Sequence, residues 1–438
     1  MANETIDDVS SAAEQTPATP VIVMVATGTT ASSLVLPAVG QVGLGRRIAC
    51  GNRVEEVDDE RMSRDHATVR WERGGWRITD QNSRNGTFVD GQRLDGETVL
   101  PTDVVLRLGH TVFILVRDGR GYGPADFDPD QVVGPELARI YEQIRRNVET
   151  DTLLIHGESG SGKELAARLY HDSGPRNAGP FVPVNCAAIP EGVAERLLFG
   201  SKKGAFSGAT DAVGYLQSAH GGTLFLDEIA DLDPAVQAKL LRVLETREVV
   251  PVGATSPVVV ELGVVAASHR ELRAAVADKR FRDDLYYRLA RTVVHLPPLR
   301  ARKVDIARLV VRELASVDKK LVAHAKLIEA CCVRPWPGNI RELRAAVRNA
   351  ANEAIATKRD MVRAEDLQAH VGFFVVSAEA DTQNARPRAQ PDVLDKETVQ
   401  AALEQANGVI SVAARTLGLH RTQLYRLMTK LGIMRDDT

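Results

Sequence analysis

Apolar and polar residues alternate along residues 21–117 in short runs, among them 67–71, 76–79 and 111–116, split by Gly-Gly, Asn-Gly and Asp-Gly pairs. Period-two runs joined by such pairs are strands closed by tight turns, so this stretch predicts an all-β sandwich. From 132 the spacing changes. An amphipathic helical run at 137–148 leads to the apolar triplet Leu153, Leu154 and Ile155, a second helical run follows at 165–169, and strand-like and helical runs alternate from there. That order predicts an α/β domain with a largely parallel sheet. Near the end, 399–404, 410–417 and 420–431 read as helices with Gly418 at a turn, an all-α helix-turn-helix.

The pieces between carry no such pattern. Residues 1–20 hold small and polar residues with Glu4, Asp7, Asp8 and Glu14 and read as a flexible tail. Two further stretches read as linkers: 118–131, rich in Gly, Pro and Asp, and 375–393, which collects Asp381, Gln383, Asn384, Pro387 and Pro391.

Length agrees with several domains, since 438 residues exceed what one core usually sustains. The formal net charge of −3 argues against a chain that is basic throughout, so any nucleic-acid contact is local. It is found at the end: 406–435 contains Arg415, Arg421, Arg426, Lys430 and Arg435 and no acid. No apolar run approaches the ~18 residues of a membrane span, and the acidic start is unlike a signal peptide, so a cytoplasmic protein without membrane contact is expected. Cys50, Cys186, Cys331 and Cys332 lack metal-ligand spacing and read as reduced, mostly buried thiols.

The chemistry centres on Gly157, Glu158, Ser159, Gly160, Ser161, Gly162, Lys163 and Glu164, between the apolar triplet and the second helical run. Glycines let the backbone turn its N–H groups onto an anion, while the helix N-terminus and Lys163 supply positive potential for β- and γ-phosphates. This is a P-loop, and ATP with Mg²⁺ is the expected cofactor set. Glu164 stands where Ser or Thr normally offers Mg²⁺ a hydroxyl, so the metal leans on other ligands. Further along, Leu224, Phe225 and Leu226 end in Asp227 and Glu228, a Walker B arrangement. Asp227 is the expected metal ligand and Glu228 the group that polarises the attacking water.

In the sandwich, Gly45 and Arg46, then Ser63, Arg64, Asp65 and His66, then Asn82 to Thr87 resemble the loop signatures of forkhead-associated (FHA) domains, which read phosphothreonine. A phosphothreonine carries about −1.5 to −2 charges, so its pocket needs guanidinium and hydroxyl donors on rigid loops. Arg46, Ser63 and Arg64 supply them. The resemblance implies that Asn85 grips the peptide backbone and that His66 braces the loop from within.

Residues 198–200 followed by Gly204, Ala205, Phe206, Ser207, Gly208 and Ala209 resemble the signature loop of bacterial enhancer-binding proteins, the AAA+ activators of sigma-54 RNA polymerase. The family usually has Thr at Ser207, Glu at Leu197 and His at Ser201. The likeness runs from about 132 to 370, which implies an α/β subdomain at 132–301 and a helical lid at 302–374. It also implies that the loop contacts sigma-54 and that Asn185 restrains Glu228. Arg282 and Arg288 would be arginine fingers reaching a neighbouring subunit's ATP, and Arg341 a second sensor on the nucleotide. Ser268 and His269 occupy the first sensor, usually Thr-Asn. Residues 394–438 resemble Fis-type DNA-binding domains, with Arg421, Thr422, Gln423, Tyr425 and Arg426 on or near the part of the recognition helix that enters the major groove.

Together these resemblances imply a cytoplasmic ATPase that assembles as a homo-oligomeric ring, a hexamer, on double-stranded DNA upstream of a promoter. It would remodel sigma-54 RNA polymerase under the control of a phosphothreonine protein, a Ser/Thr kinase or its substrate. A second reading stays open: a DNA-binding regulator or repressor whose ATPase controls assembly without engaging sigma-54.

Overall fold

The computed structural model describes residues 19–50, 53–122, 133–190, 192–205 and 210–374, together with 396, 399 and 400. The helix-turn-helix expected at 394–438, with Arg421, Thr422, Gln423, Tyr425 and Arg426, therefore lies outside the described residues except at those three positions. So do Phe206, Ser207, Gly208 and Ala209. The chain divides into two compact units, 1–374 and 375–438.

The first unit opens with strands β1 (Val21–Thr27), β2 (Thr30–Pro37), β3 (Gln41–Leu44), β4 (Arg47–Cys50), β5 (Arg53–Glu56) and β6 (Ala67–Glu72). It continues with β7 (Gly75–Asp80), β8 (Thr87–Val89), β9 (Gln92–Arg93), β10 (Glu97–Leu100), β11 (Val104–Leu108) and β12 (Thr111–Val116). They form two facing six-stranded sheets, ordered β2-β1-β12-β11-β8-β9 and β10-β7-β6-β3-β4-β5. Between the sheets lies a core of Ile22, Met24, Leu36, Leu44, Ile48, Val69, Trp76, Ile78, Leu106, Phe113 and Leu115.

The α/β part runs α1 (Pro135–Arg146), β13 (Thr152–His156), α2 (Lys163–Ser173), β14 (Phe181–Asn185), α3 (Ala194–Phe199), α4 (Tyr215–Ser218) and β15 (Thr223–Asp227). After these come α5 (Pro234–Thr246), the short β16 (Glu248–Val249) and β17 (Val258–Val259), β18 (Gly263–Ser268), α6 (Leu272–Ala277), α7 (Asp283–Leu289) and β19 (Val293–His295). The sheet order β14-β15-β18-β13-β19 is parallel throughout. Parallel strands covered by helices on both faces read as continuous apolar runs, as β18 does with all its residues buried. Helices α8 (Ile306–Val317), α9 (Ala325–Val333) and α10 (Asn339–Ala356) complete the unit, with β20 (Val322–Ala323) pairing β21 (Met361–Val362).

Two strands depart from the expected alternation. β12 is buried at every position, and β1 at all but its last. Their residues, with those of the adjoining β2 and β11, divide between two cores. Ile22, Met24, Phe113 and Leu115 enter the sandwich interior, whereas Val21, Val23, Val25, Val35, Val105, Val112, Ile114 and Val116 share a core with Val310, Leu314, Leu321, Ile328 and Val347 of the helical part. Burial of each such Val, Ile or Leu is worth about 1.5–3 kcal/mol, so an apolar face of this size makes the sandwich and the helices one body.

A charged pair lies in this interface. Arg107 on β11 donates from Nε to Glu329 Oε2 on α9 at 2.6 Å and from Nη1 to the Gly109 carbonyl at 3.0 Å. Its guanidinium carbon stands 3.9 Å from the centre of the Phe88 ring. Elsewhere Cys186, Cys331 and Cys332 are free and buried, and burial pushes the Cys186 and Cys331 thiols up to about 12. No described helix is long and apolar enough to cross a membrane.

Candidate active site

The loop between β13 and α2 is shaped by glycine. Gly160 and Gly162 have φ of 74° and 108°, backbone that L side chains rarely adopt. At Gly160 even a Cβ would stand 2.4 Å from the Gly338 carbonyl oxygen, because the turn before α10 presses against the loop. Lys163 is the first residue of α2 and is 6% exposed. Its Nζ donates to the Gly157 carbonyl and to Glu228 Oε1, each at 3.1 Å. The Ser161 hydroxyl is buried with no hydrogen-bond partner among the described atoms, as suits a loop built to meet a ligand. Loop and lysine fit a nucleotide triphosphate.

The sheet order carries the other groups to the same edge. β18 lies between β13 and β15, with Ser268 level with His156 and Ala266 level with Leu226. The P-loop, Asp227 with Glu228, and Ser268 with His269 thus all leave from strand C-termini, where open α/β sheets bind ligands. Burial raises the Asp227 carboxyl above its ordinary range against the opposing pull of Lys163. Burial would raise Glu228 too, but hydrogen bonds from His269 and Lys163 outweigh it and hold that carboxyl low. No group of three or more His, Cys, Asp or Glu side chains able to hold a metal occurs among the described residues. A Mg²⁺ ion needs only one or two protein carboxylates beside phosphates and water, and Asp227 fits that role. Glu164 turns away, pairing with Arg168 one helical turn on.

The helical part closes over the P-loop. Arg300 donates from both Nη atoms to Glu158, at 2.8 and 2.6 Å, and this pair holds the Glu158 carboxyl low. Asn339 Nδ2 reaches Glu158 Oε2 and the Ser159 carbonyl, each at 3.0 Å, while its Oδ1 accepts the Leu299 N–H at 2.7 Å. Arg302, 1% exposed, donates to the Ser161 carbonyl at 2.6 Å, and Arg341 Nη1 reaches Ser159 Oγ at 3.1 Å. Arg341 was singled out from sequence. Arg300, Arg302 and Asn339 were not, although Asn339 lies in the same Trp-Pro-Gly-Asn turn; nothing local to Arg300 or Arg302 marks them.

Other expected residues lie elsewhere. Asn185 does not hold Glu228: its Oδ1 caps the turn Cys186–Ala188 by accepting the Ala187 N–H at 3.0 Å. Arg282 is exposed and pairs with Asp284, and Arg288 Nη2 donates to the Leu244 carbonyl at 2.7 Å. The signature loop leaves from a closed base, where Ser201 and Ala212 exchange backbone hydrogen bonds of 2.9 Å and Ser201 Oγ donates to the Thr210 carbonyl. Gly204, at φ 88°, and Ala205 are its last described residues on the near side.

On the sandwich the three signature loops meet. The Arg46 N–H donates to the Ser63 carbonyl at 3.1 Å, and the Arg84 N–H to Ser63 Oγ at 3.2 Å. Asn85 Nδ2 donates to the Arg61 carbonyl at 2.7 Å. His66 is fully buried: Nδ1 accepts the Ser63 N–H at 3.0 Å, so the proton is on Nε2, which donates to the Gly86 carbonyl at 3.2 Å. Burial lowers its pKa, in keeping with that neutral form. Arg46, Arg64 and Asn85 remain exposed.

A P-loop, a carboxylate pair at the end of a strand one removed from it in the same parallel sheet, and a helical lid define an AAA+ ATPase. The Sigma-54 interaction domain matches residues 132–295, the AAA+ ATPase lid domain 300–384, the FHA domain 42–109 and the Fis family of bacterial regulatory proteins 390–431. The Nif-specific regulatory protein of Azotobacter vinelandii is 40% identical over 310 residues, covering 68% of this chain and 59% of that protein. The transcriptional regulatory protein ZraR of Klebsiella oxytoca is 41% identical over 303 residues, covering 68% of this chain and 67% of that one. The crystal structure of NtrX from Brucella abortus in complex with ADP matches with a TM-score of 0.51 and 30% identity over 70% of each chain. The chain belongs to the family of sigma-54-dependent transcriptional activators, with an FHA domain ahead of the ATPase.

Proposed function

We propose that this chain hydrolyses ATP to remodel sigma-54 RNA polymerase at promoters, and that phosphothreonine recognition by the sandwich regulates it. The reading rests on one observation: Lys163, Asp227, Glu228 and Arg341 gather at one sheet edge, in a domain that also carries a glycine-bounded loop on a rigid base. Lys163 and the loop amides bind the phosphates. Asp227 holds Mg²⁺, which supplies charge neutralisation on the phosphates. Glu228 orients and polarises the attacking water, and Arg341 carries the nucleotide state into the lid. Arg282 and Arg288 act on the neighbouring subunit's nucleotide in a hexameric ring, and the loop 204–209 carries the motion to sigma-54. Residues 394–438 hold the assembly on DNA through Arg421, Thr422, Gln423, Tyr425 and Arg426, in the cytoplasm.

The test is open-complex formation with purified sigma-54 polymerase and ATP. The full chain is expected to open the promoter, and Phe206→Ala to hydrolyse ATP without opening it. Hydrolysis with no opening by the parent would assign the chain to regulators whose ATPase works without sigma-54.

For the input, Arg46, Ser63, Arg64 and Asn85 form the phosphothreonine surface. The loop bearing Asn85 runs directly into β8, whose Phe88 lies against Arg107 and so against the lid. Arg64→Ala is expected to weaken phosphothreonine-peptide binding to the full chain by roughly 10- to 100-fold, the loss of a charge-assisted hydrogen bond of about 1.5–3 kcal/mol. Titration calorimetry with phosphorylated and unphosphorylated peptides reads it; equal affinity for the two peptides removes the sensor role.

A further inference from the structure

Glu228 occupies the left-handed backbone region, φ 54°, and its carboxylate accepts hydrogen bonds from two residues on different elements. Oε1 accepts Lys163 Nζ at 3.1 Å. Oε2 accepts the His269 backbone N–H at 3.2 Å and the His269 ring at Nδ1, 2.5 Å away. An ionised carboxylate only accepts, so the ring proton sits on Nδ1. The Glu228 side chain is 15% exposed and the ring 41%, so the imidazole covers the carboxylate from the solvent side. Asn185, on the opposite flank of β15, directs its carbonyl at Ala187 instead.

A carboxylate polarises water through a lone pair aimed at that water, and an oxygen already accepting an N–H is not aimed at it. When ATP enters, the Lys163 ammonium is drawn to the phosphates and Oε1 is released. Oε2 stays with His269. We propose that His269 is a positioning residue that holds Glu228 in an unproductive pose, so that hydrolysis waits for Glu228 to exchange the imidazole N–H for the attacking water. The restraint expected of Asn185 thus falls to a side chain following β18. The inference rests on Glu228 being the water-polarising group, which Glu228→Gln tests separately: activity in that variant removes the premise, whereas its loss leaves the role of His269 to be decided by the variants below.

The experiment is steady-state ATP hydrolysis by the full chain, with fluorescent-nucleotide binding to establish that each variant is folded. His269→Ala leaves the backbone donor and removes the ring, and is expected to raise kcat severalfold with KM for ATP unchanged. His269→Asn puts an amide N–H at the place of ring Nδ1 and is expected to return kcat to the parent value. His269→Gln, whose amide nitrogen matches ring Nε2, is expected to behave as the alanine variant does. A kcat for His269→Ala at or below the parent's overturns the proposal. So does equal kcat in the Asn and Gln variants, a comparison that survives if the alanine variant unfolds.

Discussion

Replacing Glu329 with alanine is expected to destabilise the 1–374 unit by roughly 3–5 kcal/mol, the penalty for leaving one member of a buried ion pair without the other. The side chains of Arg107 and Glu329 are 7% and 8% exposed, so water does not take the place of the lost carboxylate. Arg107 is also held where it is, by the Gly109 carbonyl and the Phe88 ring, and cannot swing out to solvent without giving up both. Urea unfolding followed by tryptophan fluorescence reads the effect on both sides of the interface, because Trp71 and Trp76 belong to the sandwich and Trp336 to the lid. The expected outcome is a lower midpoint, with the tryptophan signals separating into two transitions. Arg107→Met combined with Glu329→Leu replaces the pair by apolar side chains and is expected to recover most of the loss. An unchanged midpoint in Glu329→Ala would show that the sandwich is not seated on the lid in solution.

Glu228→Gln is expected to lower kcat for ATP hydrolysis by about 10²- to 10⁴-fold, the usual worth of a positioned base. Glutamine keeps the shape and one carbonyl acceptor, which serves Lys163 or His269 but not both, and cannot take up a proton from water, so nucleotide affinity should survive while chemistry does not. Phosphate release measured beside nucleotide binding separates these outcomes. Lys163→Ala should instead abolish binding, because Lys163 is the buried cation of the loop. A Glu228→Gln chain that hydrolyses ATP within about tenfold of the parent would leave the water-polarising role to another group.

Much of the site could be read from residue order because its parts are local. A P-loop needs left-handed glycines and one lysine at the start of a helix, and 157–163 holds all of these within one turn of chain. Asp227 and Glu228 follow an apolar run that can only be a buried strand, and the loops of the sandwich carry their donors in short contiguous blocks. Partners of these groups from distant parts of the chain were another matter. Asn185 ends β14 and His269 follows β18, on the two sides of β15, and which of them reaches Glu228 depends on strand order and register. Arg300 and Arg302 have no pattern of their own; they matter because the chain after β19 passes over Glu158 and Ser161.

The residue order of 21–117 determined a sandwich, since period-two apolar runs split by glycine turns have few other ways to bury themselves. It also placed unusually continuous apolar residues in 21–26 and 111–116. A strand with one wet face does not need them. What those extra side chains were for was decided only when α8 and α9 met the outer face of β1, β2, β11 and β12, because apolar surface records that it must be covered but not by what. Arg107 and Glu329, distant in sequence, acquire their meaning in the same contact: each alone reads as a surface charge, and only the packing that removes water from both makes them a pair.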